Sequence, residues 1–146
     1  MIIFSVEHTA SARSRTSRRL SGCTTIFAAG CASERTDLQL AGARYADQTP
    51  GYAAASLAGE TRNTYYGNHG EAVSTVHQWT FETKSPLANV VAFYEREMPA
   101  ARKSVEPDGD VLFRYRPDGA GPGETVLVRL STGKICITEE VRPLQP

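Results

Sequence analysis

Few residues in this chain could do chemistry, and their spacing limits what each could do. A zinc-type site needs three or four converging His, Cys, Asp or Glu ligands. Beyond residue 32 the histidines are His69 and His77. They do not form an H-x-x-x-H pair on a helix; Glu71 stands near His69, but no third ligand joins them. They read as a loop histidine and a sheet histidine. Nucleophilic catalysis needs a base beside the nucleophile. Ser74 and His77 are separated by an odd number of positions, which places them on opposite faces of a strand, and no G-x-S-x-G elbow occurs. Cys136 lies in the strand-like run Ile135-Cys136-Ile137, with no histidine close in sequence, and reads as a small buried apolar side chain. Glu95 and Glu97 share a solvated helix face, whereas paired carboxylates for glycoside chemistry need a cleft. Gly119 to Gly123 lacks the Lys-Ser/Thr that closes a phosphate loop. Glu139 and Glu140 read as a solvated strand end. The expectation is no catalytic residue, no metal ligand and no cofactor, hence no enzyme.

The element that must organise the remainder is Ser85–Met98, S-P-L-A-N-V-V-A-F-Y-E-R-E-M. Ser85 suits an N-cap, and Pro86 suits the first helical position, where a missing N–H costs nothing. Leu87, Val90, Val91, Tyr94 and Met98 recur on one helical face, and Phe93 widens it. Pro99 ends the helix by disfavouring helical geometry at Met98. The predicted helix runs from about Pro86 to Met98. Its aromatic stripe reads as core; a ligand box built on Phe93 and Tyr94 is the other reading.

Strand signals surround this helix. Val73–Thr83 alternates, with His77, Trp79 and Phe81 on one face and Gln78, Thr80 and Glu82 on the other. Trp79 and Phe81 are expected beneath the helix. Val111–Arg116, Thr125–Leu130 and Ile135–Glu140 alternate in the same way, and Ser131-Thr132-Gly133-Lys134 is a hairpin turn. Glu60–Tyr66 is a further, first strand. Arg102–Asp110 reads as a polar connection with its turn at Pro107-Asp108-Gly109. The predicted fold is α+β: a two-layer sandwich with one main helix on an antiparallel sheet of four or five strands, in the order (β)βαβββ.

Charge is unevenly divided. Arg13, Arg15, Arg18 and Arg19 against Glu7 give residues 1–31 a net +3, and the remainder balances it at −3. A mildly acidic body argues against nucleic acid as a partner, because phosphate contacts need a basic face. No uninterrupted apolar run reaches the roughly 18 residues of a membrane-spanning helix.

The order basic, apolar, small in residues 13–31 is that of an export signal. Ala28-Ala29-Gly30-Cys31 resembles the lipobox of bacterial lipoproteins, which implies cleavage before Cys31 and lipidation of its sulfur. Ala28 stands where that family prefers Leu, and the apolar core is diluted by Thr24 and Thr25. Leu20-Ser21-Gly22-Cys23 matches the lipobox letter for letter but follows Arg18 and Arg19 with no apolar run before it, so Cys31 is preferred. Residues 1–30 therefore read as a signal peptide, with a plain cleaved signal or a disordered basic segment as the alternatives. Residues 31–49 read as a flexible tether, and 50–146 as a single α+β domain.

The body resembles small, uncharacterised bacterial envelope lipoproteins. Pro50-Gly51-Tyr52 opens it, and Val90-Val91-Ala92-Phe93-Tyr94 through Met98-Pro99 precedes a β-meander. The resemblance implies a fold and an address in the cell envelope, lipid-anchored or secreted. The expected function is a non-catalytic binding or structural module whose partners are the membrane, through the anchor, and another envelope protein. The alternative is a periplasmic module for a small ligand or lipid, using the sheet face with Gln78, Thr80, Arg114, Arg116, Leu127 and Arg129. A small hydrolase is the least favoured reading.

Overall fold

The computed structural model describes residues 34–143 and, as backbone only, Val6–Glu7. The strands are β1 (Val6–Glu7), β2 (Arg35–Asp37), β3 (Pro50–Tyr52), β4 (Ala55–Tyr66), β5 (Ala72–Thr83), β6 (Arg102–Val105), β7 (Val111–Tyr115), β8 (Thr125–Ser131) and β9 (Lys134–Val141). One α-helix, α1 (Leu87–Glu97), lies between β5 and β6, and a short 3-10 helix spans Ala46–Gln48. The main sheet is antiparallel throughout, in the order β1-β4-β5-β9-β8-β7-β6. β2 and β3 form a separate antiparallel pair.

This corrects the expected α+β sandwich of four or five strands. Strands hold 49% of the described residues and helices 13%, so the protein is mostly β, with six substantial strands in one sheet. Geometry explains why one helix cannot form a second layer. Six strands span about 24 Å at the usual spacing near 4.8 Å, whereas a helix with its side chains is about 10–12 Å wide. The remaining apolar surface is covered by the segment from Leu38 to Tyr52. Leu40, Tyr45, Ala46 and Tyr52 all belong to the buried core. Residues 38–49, expected to be tether, are therefore part of the body.

Three local readings change for identifiable reasons. β4 begins at Ala55, not Glu60, because a bulge at Ala58 shifts the register between Leu57 and Gly59. Leu57 lies opposite Phe81 and Glu60 opposite Trp79, so the inward positions switch from odd to even and alternation is lost. β6 is the strand that replaces the expected polar connection. It is an edge strand, exposed along its length and charged at Arg102 and Lys103, a common protection against unwanted edge pairing. At the helix start, Pro86 is the N-cap residue, with ψ 143° and no side-chain cap. Ser85 instead donates its backbone N–H to Thr83 Oγ1 at 3.1 Å.

The helix face follows its predicted period. Val90, Phe93, Tyr94 and Met98 are buried, with Leu87 and Val91 partly so. Tyr94 packs on Phe113 of β7 at 6.0 Å between ring centroids, and Phe93 meets Tyr52 edge-on at 5.1 Å. Tyr52 is brought there by the β2–β3 pair, whose close approach requires Gly51: a Cβ at that position would lie 2.4 Å from Thr36 Oγ1. Lys103 pairs with Glu95, tying β6 to the helix. The sheet's inner face adds Trp79, Val126, Val128, Leu130, Ile135 and Ile137, each 0–1% exposed. Thr132 and Gly133 turn β8 into β9, with Gly133 at φ +79°, a region glycine enters without steric cost.

Candidate functional site

Polar groups penetrate the fold where residues 38–49 lie on β5 and β9. Glu139 is 1% exposed. Its Oε2 accepts the backbone N–H groups of Tyr45 and Ala46, both at 2.8 Å, and its Oε1 accepts that of Arg44 at 3.0 Å. These amides open the 3-10 helix at Ala46–Gln48, so the carboxylate fills the anion-seeking end of a short helical turn. Glu139 is thus no solvated strand end. The alternation Ile135, Ile137, Glu139 already places it inward, although its charge alone points to solvent.

A second acid, Glu124, supports the same segment. It accepts the Tyr45 hydroxyl at 2.7 Å and the backbone N–H groups of Gly121 and Arg142 at 2.7 and 3.0 Å. Arg44 Nη1 stands 3.7 Å away. Burial alone would raise this carboxyl, but the three hydrogen bonds and the Arg44 charge outweigh it and hold the group below its ordinary value. The Tyr45 hydroxyl is pushed up in turn, first by its bond to Glu124 and then by burial. The Gly119–Gly123 loop therefore serves Glu124, and Gly119 also accepts from the Tyr45 hydroxyl at 3.3 Å.

His77 lies on the inward face, 3% exposed, with Nε2 2.5 Å from Glu60 Oε1. Its ring stacks on Trp79 at 3.8 Å between centroids. Gly42 closes over it: a Cβ there would lie 3.1 Å from His77 Cε1. Trp79 is fully buried, and its indole N–H has no acceptor among the described residues.

The other expected positions are dispersed. Ser74 faces outward and His77 inward along β5. His69 and Glu71 sit in the β4–β5 turn, where the Glu71 carboxylate accepts the His69 backbone N–H at 3.0 Å. Among the described residues no three His, Cys, Asp or Glu side chains converge on a metal position. Phe93 and Tyr94 are core residues, their rings meeting edge-on at 5.0 Å. Cys136 is half-buried on the outer face with its Sγ 3.8 Å from Thr80 Oγ1, which corrects its expected burial. Cys23 and Cys31 lie outside the described residues.

The face opposite the helix gathers most of the residues expected on it. Gln78 lies opposite Thr138, Thr80 opposite Cys136, and Leu127 between Thr138 and Arg114. Arg129, opposite Cys136, is held by Asp110 at 2.7 Å and Asp108 at 3.0 Å. The Arg129 hydrogen bond, followed by that of Ser131, keeps the Asp110 carboxyl below its ordinary value. Arg116 lies past the end of β7 and donates to the Ala120 carbonyl at 2.9 Å.

Two open clefts border the sheet. One, about 740 Å³, is lined by Glu82–Ser85 and the β8–β9 turn. The other, about 690 Å³, lies where α1 ends and β7 leaves the sheet, with Arg102, Arg114, Arg116, Tyr115 and Met98 in its lining. Among the described residues no helix is long and apolar enough to cross a membrane. Comparison with protein-family models, curated proteins and solved structures finds no match to this chain.

Proposed function

We propose that this protein is a non-catalytic binding module of the bacterial cell envelope, anchored by acylation at Cys31. The observation that carries the non-catalytic part is the use made of its buried polar groups. Glu139 and Glu124 hold the 38–49 segment on the sheet, and His77 is packed between Gly42 and Trp79. Each is occupied in structure. The open surface is the outer sheet face with its border clefts, the kind of surface that meets a partner or ligand.

The anchor rests on the lipobox-like Ala28-Ala29-Gly30-Cys31. Cys31 precedes Glu34, where the described body begins, by three positions, a reach of about 10 Å when extended. An acylated Cys31 would hold the body close against the lipid surface. The second reading, a periplasmic module for a small ligand or lipid, is favoured by the cleft of about 690 Å³, a size suited to small molecules.

Intact-mass analysis of the full chain expressed in a bacterial host tests the anchor. The expected product begins at Cys31 and carries lipid, and Cys31→Ala abolishes the modification. An unprocessed, unmodified chain overturns it.

A further inference from the structure

Arg102 of β6 and Arg114 of β7 are direct cross-strand partners. Such partners in an antiparallel ladder have Cβ atoms roughly 4.5–5.5 Å apart, and like charges there repel. The neighbouring strand shows the usual remedy: Arg129 is neutralised by Asp108 and Asp110. Arg102 and Arg114 form no ion pair among the described residues. Two charges are left facing each other, uncompensated, at the border of a cleft.

Both line the cleft of about 690 Å³, together with Arg35 and Arg116. Its acids are Glu97 and Asp118, and Glu97 is already engaged with Arg35 at 3.7 Å and Arg96 at 2.9 Å. Positive charge is therefore in excess. Met98, Pro99, Tyr115 and Pro117 supply apolar lining beside it. An oxyanion between the two guanidiniums replaces their repulsion with charge-assisted hydrogen bonds, while the apolar lining accepts a hydrocarbon body.

We propose that this cleft binds a small amphiphilic oxyanion, a carboxylate or phosphate on a short apolar body, through Arg102 and Arg114. The proposal rests on the reading of the body as a binding module and names its ligand class; it does not depend on the anchor.

Calorimetric titration of the full chain with octanoate, octyl phosphate below its micelle concentration, inorganic phosphate and octyl glucoside tests it. Octanoate and octyl phosphate bind at one site, inorganic phosphate at least tenfold more weakly, and the neutral glucoside not at all. Arg102→Gln and Arg114→Gln each weaken octyl phosphate binding at least tenfold, whereas Arg62→Gln, exposed on β4 and outside the cleft lining, leaves it within twofold. Without any anion, Arg114→Gln raises the Tm, because it relieves the repulsion; a misfolded variant lowers it. Sedimentation with phosphatidylglycerol vesicles separates the two sources of the anion: co-sedimentation of the Cys31→Ala chain, lost in Arg102→Gln, assigns a lipid headgroup, and binding of octyl phosphate without co-sedimentation assigns a free ligand. No binding of either amphiphilic anion, equal binding of the glucoside, or binding indifferent to both arginines overturns the proposal. An unmodified Cys31 with anion binding intact overturns the anchor alone.

Discussion

The Glu139 carboxylate accepts the Tyr45 backbone N–H at 2.8 Å across 94 positions of sequence. It joins the last strand of the sheet to the segment that precedes the first long one. Because Arg44 and Ala46 donate to the same carboxylate, its loss leaves three amides without their acceptor. Each buried donor left unpaired costs about 1–3 kcal/mol. Glu139→Ala is expected to lower unfolding free energy by at least about 3 kcal/mol. Hydrogen exchange at the Tyr45 and Ala46 amides should accelerate before the β8–β9 amides do. Unchanged exchange at those two positions would show that the segment is held by apolar packing alone.

The low carboxyl of Glu124 makes stability depend on acid. Its folded value lies below the ordinary 4.5, so the unfolded chain takes up the proton first. The contribution is fully present above about pH 4.5 and is lost as pH falls through the folded value. Asp110 adds to the same trend. Urea midpoints should fall between pH 5 and pH 3, and Glu124→Gln should flatten the slope. An equally steep slope in that variant would assign the acid sensitivity to other groups.

At the alkaline end the phenols act in the opposite sense. Burial, with a smaller effect from Tyr115, raises Tyr94 well above its usual 10.0. Burial also raises Tyr115, against the lowering effect of its 2.7 Å bond to Thr49. The folded state holds these protons longer than the unfolded one, so their contribution persists up to about pH 10 and is lost as pH rises beyond it. Ultraviolet titration should show the Tyr94 phenolate appearing only with unfolding. A reversible Tyr94 transition near pH 10 in the folded protein would contradict this.

Trp79 pairs full burial with an indole N–H that finds no acceptor among the described residues. Trp79→Ala should cost about 3–5 kcal/mol, as for other buried aromatics. Trp79→Phe should cost clearly less, since it keeps a ring against His77 and removes the orphaned donor. Chemical denaturation of the two variants makes the comparison. Equal losses would mean that the N–H carries a hydrogen bond of its own.

The apolar periods were legible in the sequence: the helix face at Val90, Phe93, Tyr94 and Met98, the alternation through Trp79 and Phe81, and the turn at Gly133. The architecture was not. β4 hides its pattern behind the Ala58 bulge, and β6 has no apolar face to announce it. The covering role of residues 38–49 depends on acids 79 to 95 positions away, which no local period reports. Of the polar contacts, the inward parity of Glu139 is readable from Ile135 and Ile137, while a charged side chain ordinarily points to solvent. The Arg102–Arg114 pairing needed a register that exists only once β6 is known to be a strand.

The strand order sets a timetable for folding. The β4–β5 hairpin is local and can close early. The other edge of β5 pairs with β9, which is made only after the helix and three further strands. Until then β5 presents a row of unpaired amides and carbonyls, with Trp79 and Phe81 lacking their cover from later strands. Such an edge invites pairing with the same edge on another nascent chain. The hazard ends when the meander arrives and closes the sheet, so a chain truncated before Lys134 should collect in inclusion bodies, whereas the intact chain escapes them by finishing its last strand.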